Sequence, residues 1–411
     1  MTLLHHSQGI LLRTARWIAI ATIPAMVSAP ATSQEKQIIV SATTQFDDNL
    51  LRVSDGAKAS LPHNGREIVS LLSVGGVYQA ELGSLTMGLS GSAAQRLFAY
   101  NDQLNSREFQ LSSRLKYTAL SGSAEVAGAY SHQNSSFNDP LFRGVNVQDL
   151  TSLKFRGDRR LIGDIRIAGR AGFSANSNSN DNVSRADNHR YSFSVGLKYV
   201  SPIENSFELG FEQSTARGSG DRLVLINNVA SPYQADAVDK TVFGEVLWSP
   251  NEIWSLQSRV GYTWHNDQSV LDTDFNGLTT DASLKWSPAA ATTLSFSASR
   301  SFSSNNEVFS NGVKLTAYSG QITTALFDNV ALNGSVKHAD RDFRYDLQAS
   351  DPAAVSRRET FWVYSAGTAV DAGWGAKLGL QFNHIRINSD LNGFHATDNA
   401  ISLSLSRPFS F

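Results

Sequence analysis

From Ile38 to Phe411 apolar side chains return at every second position, in about 18 separate segments. Tyr191, Phe193, Val195, Leu197 and Tyr199 interleave with Ser192, Ser194, Gly196 and Lys198; Trp254, Leu256, Val260, Tyr262 and Trp264 interleave with Ser255, Gln257, Arg259, Gly261 and Thr263. Successive side chains of a strand point to opposite faces, so each segment is a strand with one greasy and one polar face. A wall of such strands needs an apolar medium on one side and water on the other.

The connections separate the ways of meeting that need. Short links fall at Ala80-Glu81, Ser121-Gly122, Ile162-Gly163, Ser201 to Asn205, Ser249 to Glu252, Ser287 to Ala291, Asp328-Asn329 and Asp371 to Gly373. Long ones fall between them: 51–66, 134–146, 176–188, 217–235, 266–277, 303–312, 340–357 and 388–396. A soluble sandwich has no reason to alternate in this way, whereas an outer-membrane barrel has short periplasmic turns and long external loops. Three short links carry Ser-Pro, at Pro202, Pro250 and Pro288, where a missing N–H and a fixed φ end a strand. Tyr199, Phe207, Trp248, Trp254, Trp286, Phe327, Trp374, Phe409 and Phe411 gather beside the short links as an interfacial girdle.

The fold class expected is therefore all-β, a transmembrane antiparallel β-barrel of about 18 strands, with 16 the next choice. At the N-terminus Arg13 and Arg16 precede the apolar run Trp17 to Val27 and the small residues Ala29-Pro30-Ala31, the order of a cleaved export signal. The organisation expected is a signal peptide over 1–31, a short periplasmic tail over 32–37 and a single barrel over 38–411. The location expected is the outer membrane of a Gram-negative bacterium. The final strand, ISLSLSRPFSF, ends on Phe409 and Phe411; it is expected to close against the first strand near Ile38 to Gln45, and its terminal aromatic resembles the assembly signal read by the barrel-assembly machinery.

No cysteine is present, which excludes disulfides, thiolate metal sites and a lipoprotein anchor. A net charge of -2 leaves no nucleic-acid footprint. No histidine pair has metal-ligand spacing with carboxylates, and Gly218 to Asp221 is not followed by a helix, so no enzyme activity, cofactor or metal is expected. His132 and His265 lie at outer strand ends, where a Ser–His couple is conceivable but chance serines explain it better. The acidic and amide runs Asp47-Asp48-Asn49 and Asn176 to Asn182 offer oxygen ligands for a hard cation, although solvated loop is the stronger reading.

Inward charge is the remaining clue. Arg114 and Lys116 share one strand face, Lys154, Arg156 and Arg160 another, and Arg166 and Arg170 a third. These seven form a candidate basic track along the lumen, able to concentrate an anionic solute. The competing reading pairs them across strands with Glu125, Asp158 and other acids, with Glu208, Glu212 and Glu245 balancing the charge.

The segment TQFDDNLLRV, Thr44 to Val53, and the cadences VGLKYVSPIENSFELGFEQ from Val195 and EVLWSPNEIWSLQSRVGYTWHND from Glu245 resemble the β-barrel porin family of bacterial exopolysaccharide loci, the EpsL-like outer-membrane proteins. Asp47, Asp48 and Asn49 carry the more specific part of that likeness. The resemblance implies a channel, first of all the exit pore for a surface polysaccharide. It would work with outer-membrane lipid, a periplasmic polysaccharide-export protein and an anionic polysaccharide. A general or anion-preferring diffusion porin is the alternative, with a barrel enzyme or adhesin behind it.

Overall fold

In a computed structural model of the chain, residues 33–134, 146–179, 187–218, 222–226, 229–233, 236–267, 275–303, 310–346, 356–390 and 395–411 are described. The segment 1–31 expected to be an export signal, most of the tips of the long loops and the end of the 176–182 run lie outside the described residues.

Eighteen strands form one closed antiparallel sheet. In chain order they are β1 (Ser33–Asp47), β2 (Glu67–Leu82), β3 (Leu85–Phe98), β4 (Ser106–Ala119), β5 (Gly122–Asn134), β6 (Val147–Ile162), β7 (Ile165–Asn178), β8 (Asn188–Val200) and β9 (Ser206–Gly218). A separate two-strand hairpin, β10 (Arg222–Ile226) and β11 (Val229–Tyr233), lies in the loop that follows. The barrel resumes with β12 (Ala237–Asn251), β13 (Trp254–Asp267), β14 (Phe275–Ala289), β15 (Thr292–Ser303), β16 (Ser310–Phe327), β17 (Val330–Asp346), β18 (Ser356–Asp371), β19 (Lys377–Ser389) and β20 (Ala396–Ser410). Each barrel strand pairs with the barrel strand before and after it, β9 meeting β12 across the hairpin, and β1 pairs with both β2 and β20. The seam runs from Gln37 opposite Ser410 to Asp47 opposite Ala400. Closure leaves no free edge, as a sheet in lipid requires.

Two boundaries differ from expectation. The segment expected as a periplasmic tail enters the wall, because β1 already begins at Ser33 and pairs there with Glu81. Glu35 and Gln37 lie on the inward face by register, where polar side chains line a wet lumen, so their polarity does not exclude strand. The 99–105 connection between β3 and β4 completes the series of external loops and carries a single turn of 3-10 helix, Asp102–Leu104. Two of the Ser-Pro turns fall inside strand ends, with the register of β12 with β13 shifting between Trp248 and Asn251, and of β14 with β15 between Trp286 and Ala289, while Ser201-Pro202 lies in the turn between β8 and β9. A register shift absorbs Pro250 and Pro288 without loss of the pairing beyond it.

Directly opposed residues share a face. One continuous face carries Leu72, Leu153, Phe193, Leu209, Val260, Tyr318, Leu380 and Leu403, all exposed large hydrophobics, and is the lipid side. At its short-turn rim Tyr199 opposes Phe207, and Trp254 stacks on Trp286 with ring centroids 5.3 Å apart. The other face looks inward and carries nearly all the paired charge.

Candidate functional site: the lumen wall

By register, Arg114, Lys116, Lys154, Arg156, Arg160, Arg166 and Arg170 all project from the inner face of β4, β6 and β7. They extend from the middle of the barrel to its short-turn rim. Their partners divide them into two groups. Glu125 on β5 sits between Arg114, 2.6 Å away, and Arg156, 2.8 Å away, so one carboxylate serves two guanidinium groups. Arg166 meets Asp158 at 2.8 Å, and Ser123 also donates to that carboxylate. Arg170 reaches Glu208 on β9 at 2.8 Å and Glu245 on β12 at 3.0 Å. Lys116, Lys154 and Arg160 have no carboxylate within ion-pairing distance among the described residues. The side chains of Arg114 and Arg156 remain 54% and 59% exposed, so their charge is shared with Glu125 without being hidden from the lumen.

The neighbouring sector inverts the balance. Glu208, Glu212, Asp239, Glu245 and Asp281 face inward from β9, β12 and β14, against Arg259 and Lys285. Arg259 binds Glu212 at 2.6 Å and lies 3.8 Å above the Phe243 ring, with Arg170 at 5.6 Å from the same ring. Phe243 is only 1% exposed although it faces a channel. Gly210 explains this: a Cβ there would stand 2.6 Å from the Phe243 ring and 2.7 Å from the Val195 carbonyl, so only glycine lets the ring lie flat on the wall. The rest of the circuit is uncharged over long stretches, with Ser295, Ser297, Ser319, Gln321, Ser335 and Ser365 facing in.

At the long-loop rim the first external loop folds against the inner wall. Leu50 and Leu104 pack with Val69 and Phe98, which oppose each other on the inner face of β2 and β3. Glu67, fully buried, accepts from the backbone N–H groups of Ile68 and Tyr100 and from the Asn101 side chain at 2.7–2.9 Å, tying the first loop's base to the 99–105 connection. His63 stacks on Tyr100, centroids 4.1 Å apart.

Asp47, Asp48 and Asn49 lie where this loop leaves β1, beside the seam. Asp48 accepts from the Asn399 backbone and side chain at 2.8 and 2.9 Å; Asn49, fully buried, donates to the carbonyls of Val53 and Thr397 and accepts from the Val53 N–H. The triplet thus fastens β20 to β1. Carboxylate oxygens of Asp47, Asp48 and Asp398 also lie within 4.8 Å of one another, with Arg52 3.6 Å from Asp398 and Lys58 3.8 Å from Asp48 as counter-charges.

The two outer-end histidines point in opposite directions. His132 faces lipid and bonds Asp149 at 2.9 Å; His265 faces in and bonds Asp239 at 2.5 Å. The serine near the latter pair, Ser214, bonds Asp239 and not the imidazole, so the arrangement holds an ion-pair network with Arg190 rather than an activated nucleophile.

A closed 18-strand antiparallel barrel with an apolar belt outside and a charged wall inside has the architecture of an outer-membrane porin, a fold that resides in the outer membrane of Gram-negative bacteria. Residues 255–406 match the model of the family described as Putative beta-barrel porin 2. Among solved structures, the chain is similar to a BenF-like porin from Pseudomonas fluorescens Pf-5, with 11% identity, 93% of this chain and 100% of that one covered, and a TM-score of 0.50. Similar too are the outer membrane protein OpdK from Pseudomonas aeruginosa (12% identity, 93% and 100% covered, TM-score 0.47) and OccAB3 from Acinetobacter baumannii (11%, 92% and 100%, 0.48). At these identities the likeness concerns the fold. No curated protein matches.

Proposed function

We propose that the protein is an anion-preferring diffusion porin for small polar solutes. The observation that carries this reading is the surplus of inward cations on β4 to β7, where among the described residues Lys116, Lys154 and Arg160 have no carboxylate partner and Arg114 and Arg156 share Glu125. Such a sector raises the local concentration of anions and their rate of entry. The first loop folded inside the mouth and the partial match to a porin family support a diffusion channel over the polysaccharide exit pore that the sequence resemblance implies.

Planar-bilayer reversal potentials in a salt gradient test the reading. Wild-type channels should favour chloride over potassium, and the triple substitution Lys116→Gln, Lys154→Gln, Arg160→Gln should bring the permeability ratio close to one. A cation preference, or a ratio unmoved by the triple change, overturns it. Block by an anionic polysaccharide that the triple change relieves would return the exit pore to first place.

Glu125 supplies an opposite test. Glu125→Gln removes the negative charge shared by two half-exposed arginines, so anion preference should rise above wild type, with the largest effect at low salt where screening is weakest. A fall in anion preference would show that Glu125 holds the arginines in a conducting position and does not merely offset them.

A further inference from the structure

The lipid-facing side carries a second set of cations. Arg107, Arg217, Lys240 and Arg386 are exposed, and register places all four on the outward face. Each lies within four residues of the long-loop end of its strand, β4, β9, β12 and β19. Aromatic or imidazole rings accompany them: Lys240 opposes Trp264, Arg386 opposes Trp362, Arg217 opposes His189, and Phe109 is the next outward residue after Arg107.

The lumen arginines mostly have carboxylate partners, but among the described residues none of these four does. Three outward acids of the same rim are engaged by their own neighbours, and a fourth, Asp342 on β17, lies between Lys314 and Arg358 in register. Asp149 takes His132 and Tyr130, Asp340 takes His338 and Thr360, and Asp48 takes Asn399 and Lys58. The rim therefore offers the lipid free cations beside locally satisfied carboxylates. A ring at the edge of the apolar belt with a long cationic side chain beside it suits the depth where acyl chains give way to charged headgroups.

We propose that this rim binds the phosphate groups of a phosphorylated glycolipid in the outer leaflet, most strongly on β8 to β13, where His189, Arg217, Lys240 and Trp264 lie on adjoining strands. The guanidinium and ammonium groups take the phosphates, and the rings pack on the proximal acyl chains. This inference rests on the outer-membrane placement and is independent of the solute, so it can fail without affecting the porin reading.

The test uses the full barrel in a non-ionic detergent, titrated with purified lipopolysaccharide, with the same lipid after enzymatic dephosphorylation, with phosphatidylglycerol and with inorganic phosphate. Retained lipid is measured by mass spectrometry and stability by the temperature at which the heat-modifiable gel band converts. Intact lipopolysaccharide should be retained and raise that temperature, and Arg217→Gln with Lys240→Gln should reduce retention several-fold while single-channel conductance stays at the wild-type value. Arg159→Gln, an outward cation at the short-turn rim, should retain lipid as wild type does, and Lys240→Arg should preserve binding. Equal retention of the dephosphorylated lipid or of phosphatidylglycerol, equal stabilisation by inorganic phosphate, or unchanged retention in the double variant overturns the proposal.

Discussion

Gly122→Val is expected to leave little folded barrel. Gly122 sits just after the tight Leu120-Ser121 turn, opposite Ala119, at φ +154°, and a Cβ there would lie 2.0 Å from the Asp158 carbonyl oxygen and 3.0 Å from the Arg159 Cα. Both are backbone atoms of β6, so no side chain can swing away. Relief requires β5 and β6 to part, which also disturbs the Arg160 N–H to Ser121 carbonyl hydrogen bond of 2.7 Å and the nearby Glu125 and Asp158 ion pairs. Strain and lost pairing together cost on the order of 3 kcal/mol or more. The fraction migrating as the compact unheated band should fall sharply. Gly163→Val, at another short turn with open space around its Cβ, should fall less despite its positive φ of 53°. Equal behaviour of the two would show that backbone conformation, and not the β6 contact, governs the site.

Asn49→Ala is expected to have the next largest effect. The substitution leaves the buried Val53 N–H and Thr397 carbonyl without the partners that Asn49 supplies, at a cost of about 2–4 kcal/mol. It should lower the conversion temperature of the barrel and increase hydrogen exchange at the external ends of β1 and β20, with β5 to β8 unaffected. Asp48→Asn, which keeps an acceptor for the Asn399 N–H, should be milder. Uniform loss of protection around the barrel would show that the triplet is not a seam fastening.

The wall was readable from the chain because its physics is local and repeated. Leu209 and Glu208 have to face opposite ways wherever β9 pairs, so alternation alone assigns lipid and lumen sides. Loop-length alternation then orients the strands. The lumen is harder, because pairing depends on registers that sequence does not display. Nothing near Arg170 announces that Glu208 and Glu245 lie two and three strands away, nor that Lys116, directly opposite Glu125, leaves that carboxylate to Arg114 and Arg156. The role of Asp47, Asp48 and Asn49 was invisible for the same reason, since Asn399 lies 351 positions from Asp48. Gly210 stood among many strand glycines, and only the flat Phe243 ring distinguishes it.

That seam also sets an order of events. Joining ends some 350 residues apart in a free chain would cost about 5 kcal/mol of chain entropy, whereas neighbouring pairings lessen that separation before β20 meets β1. Every other pairing of the barrel, from β1 with β2 to β19 with β20, joins strands linked by a single turn or loop, with β9 and β12 joined across the β10–β11 hairpin. The final step has no such local help. The hydrogen bonds of Asp48 and Asn49 with Asn399 and Thr397 therefore belong to the closed barrel alone, and no pairing made before closure can supply them.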